Sequence, residues 1–252
     1  MIRREELGEI AKAKRISLEN CEKDYILELL MFSIFSEAGD SLALKGGTAM
    51  YKFYNLNRFS EDLDFSVNKR RVDLPELVNT AMRRLSGIGV PGSIRMESYR
   101  NEVNARLMFR GPLYDGSKES MVRITLNFSK RDKPINVDKL FFIPVYTEIP
   151  SFNAFVMAAE EIFAEKVRAI FTRNKPRDVY DLWFLLKRKV IPDIALINVK
   201  LKTCNLQFSG DEFVKKVDEK RGLFGPDMNG LIIGELEDFE IIKKEILDVF
   251  RG

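Results

Sequence analysis

Two aspartates set the chemistry this chain can do. Asp62 and Asp64 alternate with apolar residues in Asp62-Leu63-Asp64-Phe65-Ser66-Val67, a pattern that reads as a strand with both carboxylates on one face. Carboxylates that close repel unless a cation lies between them, and hard oxygen donors select Mg2+ or Mn2+. Upstream, Leu42-Ala43-Leu44 reads as a short strand, Lys45-Gly46-Gly47-Thr48 as a turn, and Ala49 to Tyr54 as a helical segment. Adjacent glycines let a phosphate approach bare backbone, and free N–H groups at a helix start favour an anion. A metal-binding pair facing a phosphate-cradling turn suits a nucleoside triphosphate (NTP), whose α-phosphorus the bound ion would orient for attack. A Gly-Gly pair alone is usually a turn, and an Asp-x-Asp alone a solvated strand end. The ordered combination carries the reading.

The composition bounds what else is available. The 252 residues suffice for one large domain or two small ones, and 45% hydrophobic residues supply a core. Lys and Arg number 41 against 38 Asp and Glu, so a net charge of +3 demands no polyanionic partner. Histidine is absent, which removes His-based triads, His general bases and His zinc sites. Cys21 and Cys204 fit no metal-ligand spacing, and no N-terminal stretch reads as a signal peptide or membrane span, so a cytoplasmic protein is expected.

The surrounding elements must position the aspartates. Glu5 to Ala38 has helical character and should cover the first strand, while Asp73 to Leu85 reads as an amphipathic helix entered through Asp73 and Pro75. Ser93 to Phe109 and Val122 to Phe128 alternate as strands that extend the sheet. Phe155 to Phe171 shows a helical stripe of Phe155, Ala159, Ile162, Phe163 and Ile170, with Lys166 in the stripe and Glu161, Glu165 and Arg168 on the solvated side. Lys166 then either snorkels or pairs with a carboxylate, or serves the triphosphate. Pro176 starts another helix on which Asp178 points inward, towards Lys166 or Arg177, in a structural or functional charge cluster. Further helices are expected at Asp211 to Lys220 and Glu235 to Phe250, with a glycine-bearing loop from Gly222 to Gly234.

The expected fold is α+β: a mixed sheet with flanking helices over residues 1–151, and a mainly helical C-terminal lobe over 152–252 that completes a ligand cleft. The strand, Gly-Gly-Thr, helix and Asp-x-Asp order resembles the DNA polymerase beta-like nucleotidyltransferase superfamily. With Lys45, Arg58, Phe59, Ser60 and Glu61 it resembles the AbiEii/AbiGii toxin nucleotidyltransferases. Two later blocks extend the likeness over most of the chain: Glu161 with Ala164-Glu165-Lys166-Val167-Arg168-Ala169, and Pro176-Arg177-Asp178-Val179-Tyr180-Asp181-Leu182.

The resemblance implies that Gly46, Gly47 and Thr48 bind nucleotide phosphates and that Asp62 and Asp64 bind Mg2+ or Mn2+. It makes Lys166 and Asp178 further functional positions, with Lys45, Arg58, Ser60 and Arg177 in support. It implies transfer of a nucleotide from an NTP to an acceptor hydroxyl, in some members the end of a tRNA, by a toxin of a toxin–antitoxin or phage-defence system, opposed by a cognate antitoxin protein. The superfamily's third carboxylate falls on Thr125 here, with Asn127 next on the same face; Asp132 and Asp138 are the nearby acids. Two other readings stand beside transfer. One is an NTP-binding regulator that has lost turnover at Thr125. The other is an RNA-binding protein using Lys69, Arg70, Arg71, Arg83 and Arg84.

Overall fold

Strand alternation builds a sheet with two unlike faces. The structure is a computed structural model that describes residues 1–69, 72–131 and 133–251. Its chain divides into two compact units, Met1–Ala49 with Phe59–Met157, and Met50–Arg58 with Ala158–Gly252.

The first unit holds helices α1 (Arg4–Lys14) and α2 (Leu18–Ala38), strand β1 (Leu42–Lys45), the start of α3 (Gly46–Phe53), and β2 (Leu63–Val67). After α4 (Leu74–Gly87) come β3 (Gly92–Ser98), β4 (Glu102–Phe109), β5 (Val122–Ser129), β6 (Val137–Phe142) and β7 (Phe152–Met157). The seven strands run in the order β3-β4-β5-β2-β1-β7-β6. β2 lies antiparallel to β1 and parallel to β5, and β1 is parallel to β7.

Leu44, Phe65, Ala105, Leu126 and Phe128 are fully buried on one face, where Phe35 of α2 meets Phe65 edge-on at 5.9 Å. The opposite face carries the intervening polar residues, among them Lys45, Asp64, Asn104, Arg106, Thr125 and Asn127. α4 enters as its sequence indicates, with the Asp73 carboxylate accepting from the Glu76 N–H and Pro75 in the first turn.

The second unit is helical: the end of α3 and the segment to Arg58, then α5 (Ala159–Thr172), α6 (Arg177–Lys187), α7 (Ile194–Lys202), α8 (Gly210–Asp218), α9 (Arg221–Met228) and α10 (Phe239–Arg251). Aromatic contacts hold it together, with Phe213 and Phe250 at 4.9 Å and Phe171 and Phe213 at 6.0 Å.

Several local expectations change. Phe155 lies on β7 rather than at the head of a helix, because the run Phe152 to Met157 pairs with β1 and β6 before α5 begins. Such a run does not declare its period. The segment expected as a glycine-bearing loop contains α9, with Pro226 inside it. The C-terminal helix starts at Phe239, not Glu235. Glu161 is not solvated: it is fully buried and its carboxylate accepts from Lys200 Nζ at 2.5 Å.

Candidate active site

The register of three strands sets the carboxylates in place. Asp64 stands opposite Lys45 of β1 and opposite Asn127 of β5, so the three share the polar face of the sheet. Asn127 Nδ2 donates to Asp64 Oδ1 at 2.8 Å, and the Thr125 N–H donates to Asp62 Oδ1 at 3.3 Å. Asp62 retains solvent exposure, yet the groups crowded round its carboxyl strip away enough water to raise its pKa from 3.8. The Asp64 charge raises it further, and the hydrogen bonds from Thr125 oppose the rise.

Gly46 sits at the foot of the pair. Its φ is 72°, and a Cβ there would lie 2.8 Å from Asp64 Oδ2. Only glycine fits both the conformation and the space. Thr48 is buried one turn into α3 and donates to the Asp62 carbonyl, with Ser60 Oγ 2.9 Å from its hydroxyl. This hydroxyl braces the loop that delivers Asp62. Lys45 is 8% exposed, and Gly47 is buried within α3.

Among the described residues no group of three or more His, Cys, Asp or Glu side chains could hold a metal. The donor set therefore offers two carboxylates. That suits Mg2+, which is commonly held by one or two carboxylates, with water and substrate phosphate supplying the rest. The third acidic position is absent: Thr125 faces Asp62 and the amide of Asn127 faces Asp64. Asp138 does not replace it, because β6 lies three strands from β2 in the sheet order, roughly 14 Å at the usual strand spacing. Asp132 lies outside the described residues, as do Arg70 and Arg71.

The second unit contains a separate cluster. Lys166 of α5 lies 2.9 Å from Asp178 Oδ1 and 2.5 Å from Asp181 Oδ2, both carboxylates being fully buried on α6. Arg173 Nε and a terminal nitrogen donate to Asp178 at 2.7 and 2.8 Å. Arg58 grips Asp181 through two bonds of 2.6 Å. Burial works against ionising Asp178 and Asp181, but the cations around them win, and both are held below the usual carboxylate range. The sequence-derived residues Lys166, Asp178 and Arg58 thus meet in one cluster. Arg177 does not join it, since its backbone N–H donates to Asp227 and its Nε lies 3.9 Å from the same carboxylate.

Sequence reasoning missed Asp181 and Arg173 as members. Asp181 was legible as the i+3 neighbour of Asp178; Arg173 carried no signal. The basic residues it singled out are already neutralised where described: Lys69 by Asp40, Arg83 by Glu76 and Arg84 by Glu37.

Solved structures share this architecture. MenT4, a nucleotidyltransferase toxin from Mycobacterium tuberculosis, aligns with a TM-score of 0.70 at 19% identity, covering 99% of this chain and 89% of its own. JHP933 from Helicobacter pylori aligns with a TM-score of 0.63 at 22% identity, over 94% and 92%. An H. pylori protein described as a candidate nucleotidyltransferase aligns with a TM-score of 0.65 at 23% identity, over 94% and 95%. The fold is that of the nucleotidyltransferases. Comparison with curated protein sequences returns no match. The family model for the nucleotidyl transferase AbiEii toxin of type IV toxin–antitoxin systems matches residues 29–243, and the chain belongs to that family of nucleotidyltransferases.

Proposed function

We propose that this protein transfers a nucleotide from an NTP to an acceptor hydroxyl on RNA, the end of a tRNA being the acceptor of choice, and that it acts as a toxin opposed by a cognate antitoxin. The observation that carries the reading is the open Asp62–Asp64 pair over Gly46, a position where even one methyl group would collide with a carboxylate. Asp62 and Asp64 would hold Mg2+ or Mn2+, which when bound supplies charge neutralisation at the phosphates. The start of α3, with Gly46, Gly47 and Thr48, offers backbone N–H groups to phosphate oxygens.

In the transfer the acceptor oxygen bonds to the α-phosphorus and the bond to the bridging oxygen breaks, releasing pyrophosphate. The hydroxyl proton passes to water, since neither Thr125 nor Asn127 is a base. Lys166 and Asp178, held together with Asp181 by Arg58 and Arg173, are assigned to a rigid charged frame of the second unit. Support for a polyanionic acceptor comes from the polar face of the sheet. There Arg95, Arg106 and Thr125 lie side by side on β3, β4 and β5, with Arg123 two residues along β5, and all three arginines are exposed.

The test uses NTPs labelled at the α- or γ-phosphate, Mg2+, total tRNA, and Asp64→Ala as control. Label reaching RNA from the α position alone, and lost in the variant, is the expected result. Transfer of γ label would mean a kinase. NTP binding without transfer would favour the second reading, a nucleotide-binding regulator, for which Asn127 and Thr125 in place of a carboxylate are the specific observation.

A further inference from the structure

Asp64 stands in its row of the sheet between Lys45 on β1 and Asn127 on β5. Asn127 donates through Nδ2 to Asp64 Oδ1 at 2.8 Å. An amide that faces a carboxylate must present its nitrogen, because two acceptor oxygens repel. The other carboxylate oxygen, Asp64 Oδ2, lies over Gly46, where an added Cβ would come within 2.8 Å of it. Asp64 is thus held through one oxygen by β5 and turns the other towards Gly46, the first residue of α3.

A second divalent ion needs anionic oxygens of its own, since paired ions lie only about 3.5–4 Å apart and repel. The strands beyond Asp64 offer none. Thr125 meets Asp62 with an N–H, a donor rather than a ligand. Asn104, opposite Asn127 on β4, gives its amide to Glu102 at 3.4 Å, and Glu102 also accepts from Arg131 at 3.1 Å. Glu97, opposite Asn104 on β3, accepts from the Tyr99 hydroxyl at 3.1 Å and pairs with Arg95 at 3.3 Å. Among the described residues no three acidic side chains come together as a metal site. The amide of Asn127 therefore covers the β5 side of Asp64, and its N–H groups repel a cation there.

We propose that Asn127 is a positioning residue that makes this a one-ion site: its amide orients Asp64 towards a single Mg2+ or Mn2+ and excludes a second. The proposal rests on the nucleotidyl-transfer reading and adds to it the number of ions and the residue that sets that number. Donors that hold a metal-binding carboxylate in place typically change metal affinity about 10- to 100-fold.

The test counts Mn2+ bound to the full chain from the loss of its free-ion electron paramagnetic resonance signal. Mn2+ is titrated alone, and then with each α,β-methylene NTP, corrected for the analogue's own Mn2+ binding. The parent is compared with Asn127→Leu and Asn127→Ala, which remove the donor, and with Asn127→Asp, which adds a carboxylate. Asn127 is half-buried on the polar face, so these changes spare the core. One Mn2+ per parent chain is expected, held about tenfold more weakly by the Leu and Ala variants, and two Mn2+ in Asn127→Asp. Two ions on the parent overturn the proposal, and so does a single ion in Asn127→Asp. Thermal melts establish which variants fold; Asn127→Ala decides where Asn127→Leu does not, and the parent's count stands without either. If the parent binds no Mn2+ under either condition, the transfer reading falls with the proposal. If parent, Leu and Ala variants hold one ion equally well, that reading stands and only Asn127 is misassigned.

Discussion

The two charged clusters of this molecule are built on opposite plans. In the first unit Asp62 and Asp64 sit together on a partly open sheet face, and burial and mutual repulsion raise Asp62. In the second unit Asp178 and Asp181 are fully buried, yet both are held below the usual range because Lys166, Arg173 and Arg58 surround them. One cluster leaves its electrostatics unresolved, which is the condition of a site that waits for a cation. The other resolves them internally and so serves as a rigid frame.

Removing one carboxylate from each cluster should separate these plans most clearly. Asp64→Ala should lower transfer by about 1,000-fold or more, because the proposed metal would lose a ligand. The same change should leave the metal-free melting temperature equal or higher, since it relieves repulsion. Mg2+ should raise the melting temperature of the unaltered chain and not that of the variant. Asp181→Ala should do the reverse, because Arg58 loses the carboxylate it grips and Lys166 keeps Asp178 alone. A loss of about 3–5 kcal/mol in denaturant unfolding is expected. A variant of Asp181 as stable as the parent would refute the frame.

Acid should act on the two units with opposite sign. Asp178 and Asp181 have folded pKa values below 3.8, so the stability they contribute is complete above that value and is lost as pH falls through it towards the folded values. Asp62 has a folded pKa above 3.8, so its ionisation disfavours the folded state, and stability is lost as pH rises from 3.8 through the raised value. Amide exchange followed on β2 and on α6 should therefore show metal-free β2 better protected at mildly acidic pH than at neutrality. α6 should lose protection only below about pH 4.

The open cluster was legible in the sequence and the closed one only in part: Lys166, Asp178 and Arg58 were singled out, Asp181 and Arg173 were not. Asp62, Asp64 and Gly46 belong to local patterns, alternation along one strand and a glycine turn, and local patterns survive in a one-dimensional string. The α+β class followed from the same signals. Arg58 and Asp181 stand 123 residues apart, and nothing local in either marks the other. β6 and β7 were hidden because Phe152 to Met157 runs directly towards the helix that follows. The carboxylate pair also shows the limit of pattern matching: Thr125 marks the position of the missing acid, but the strand register sets Asn127 directly beside Asp64.

Gly46→Ala tests how tightly the open cluster is built. The added methyl would meet Asp64 Oδ2 at 2.8 Å on a backbone at φ 72°, so either the carboxylate or the turn must move. A stability loss of about 1–3 kcal/mol is expected, together with loss of the Mg2+-induced rise in melting temperature. Retention of that rise would place the metal elsewhere.

The smallest effect is expected on the sheet face beyond the carboxylates, where exposure limits what one charge contributes. Arg106 is exposed on β4, opposite Thr125, and makes no ion pair among the described residues. Arg83 is exposed on α4 and pairs with Glu76 at 2.7 Å. If RNA lies along the carboxylate face, Arg106→Ala should weaken it about two- to fivefold at low salt and reduce the salt slope by about one. Arg83→Ala should change neither, because its charge is already answered on another element. Equal effects from the two substitutions would mean that RNA responds to net charge alone. The polar face would then have no claim as the acceptor's path, while the metal chemistry proposed for Asp62 and Asp64 would stand untouched.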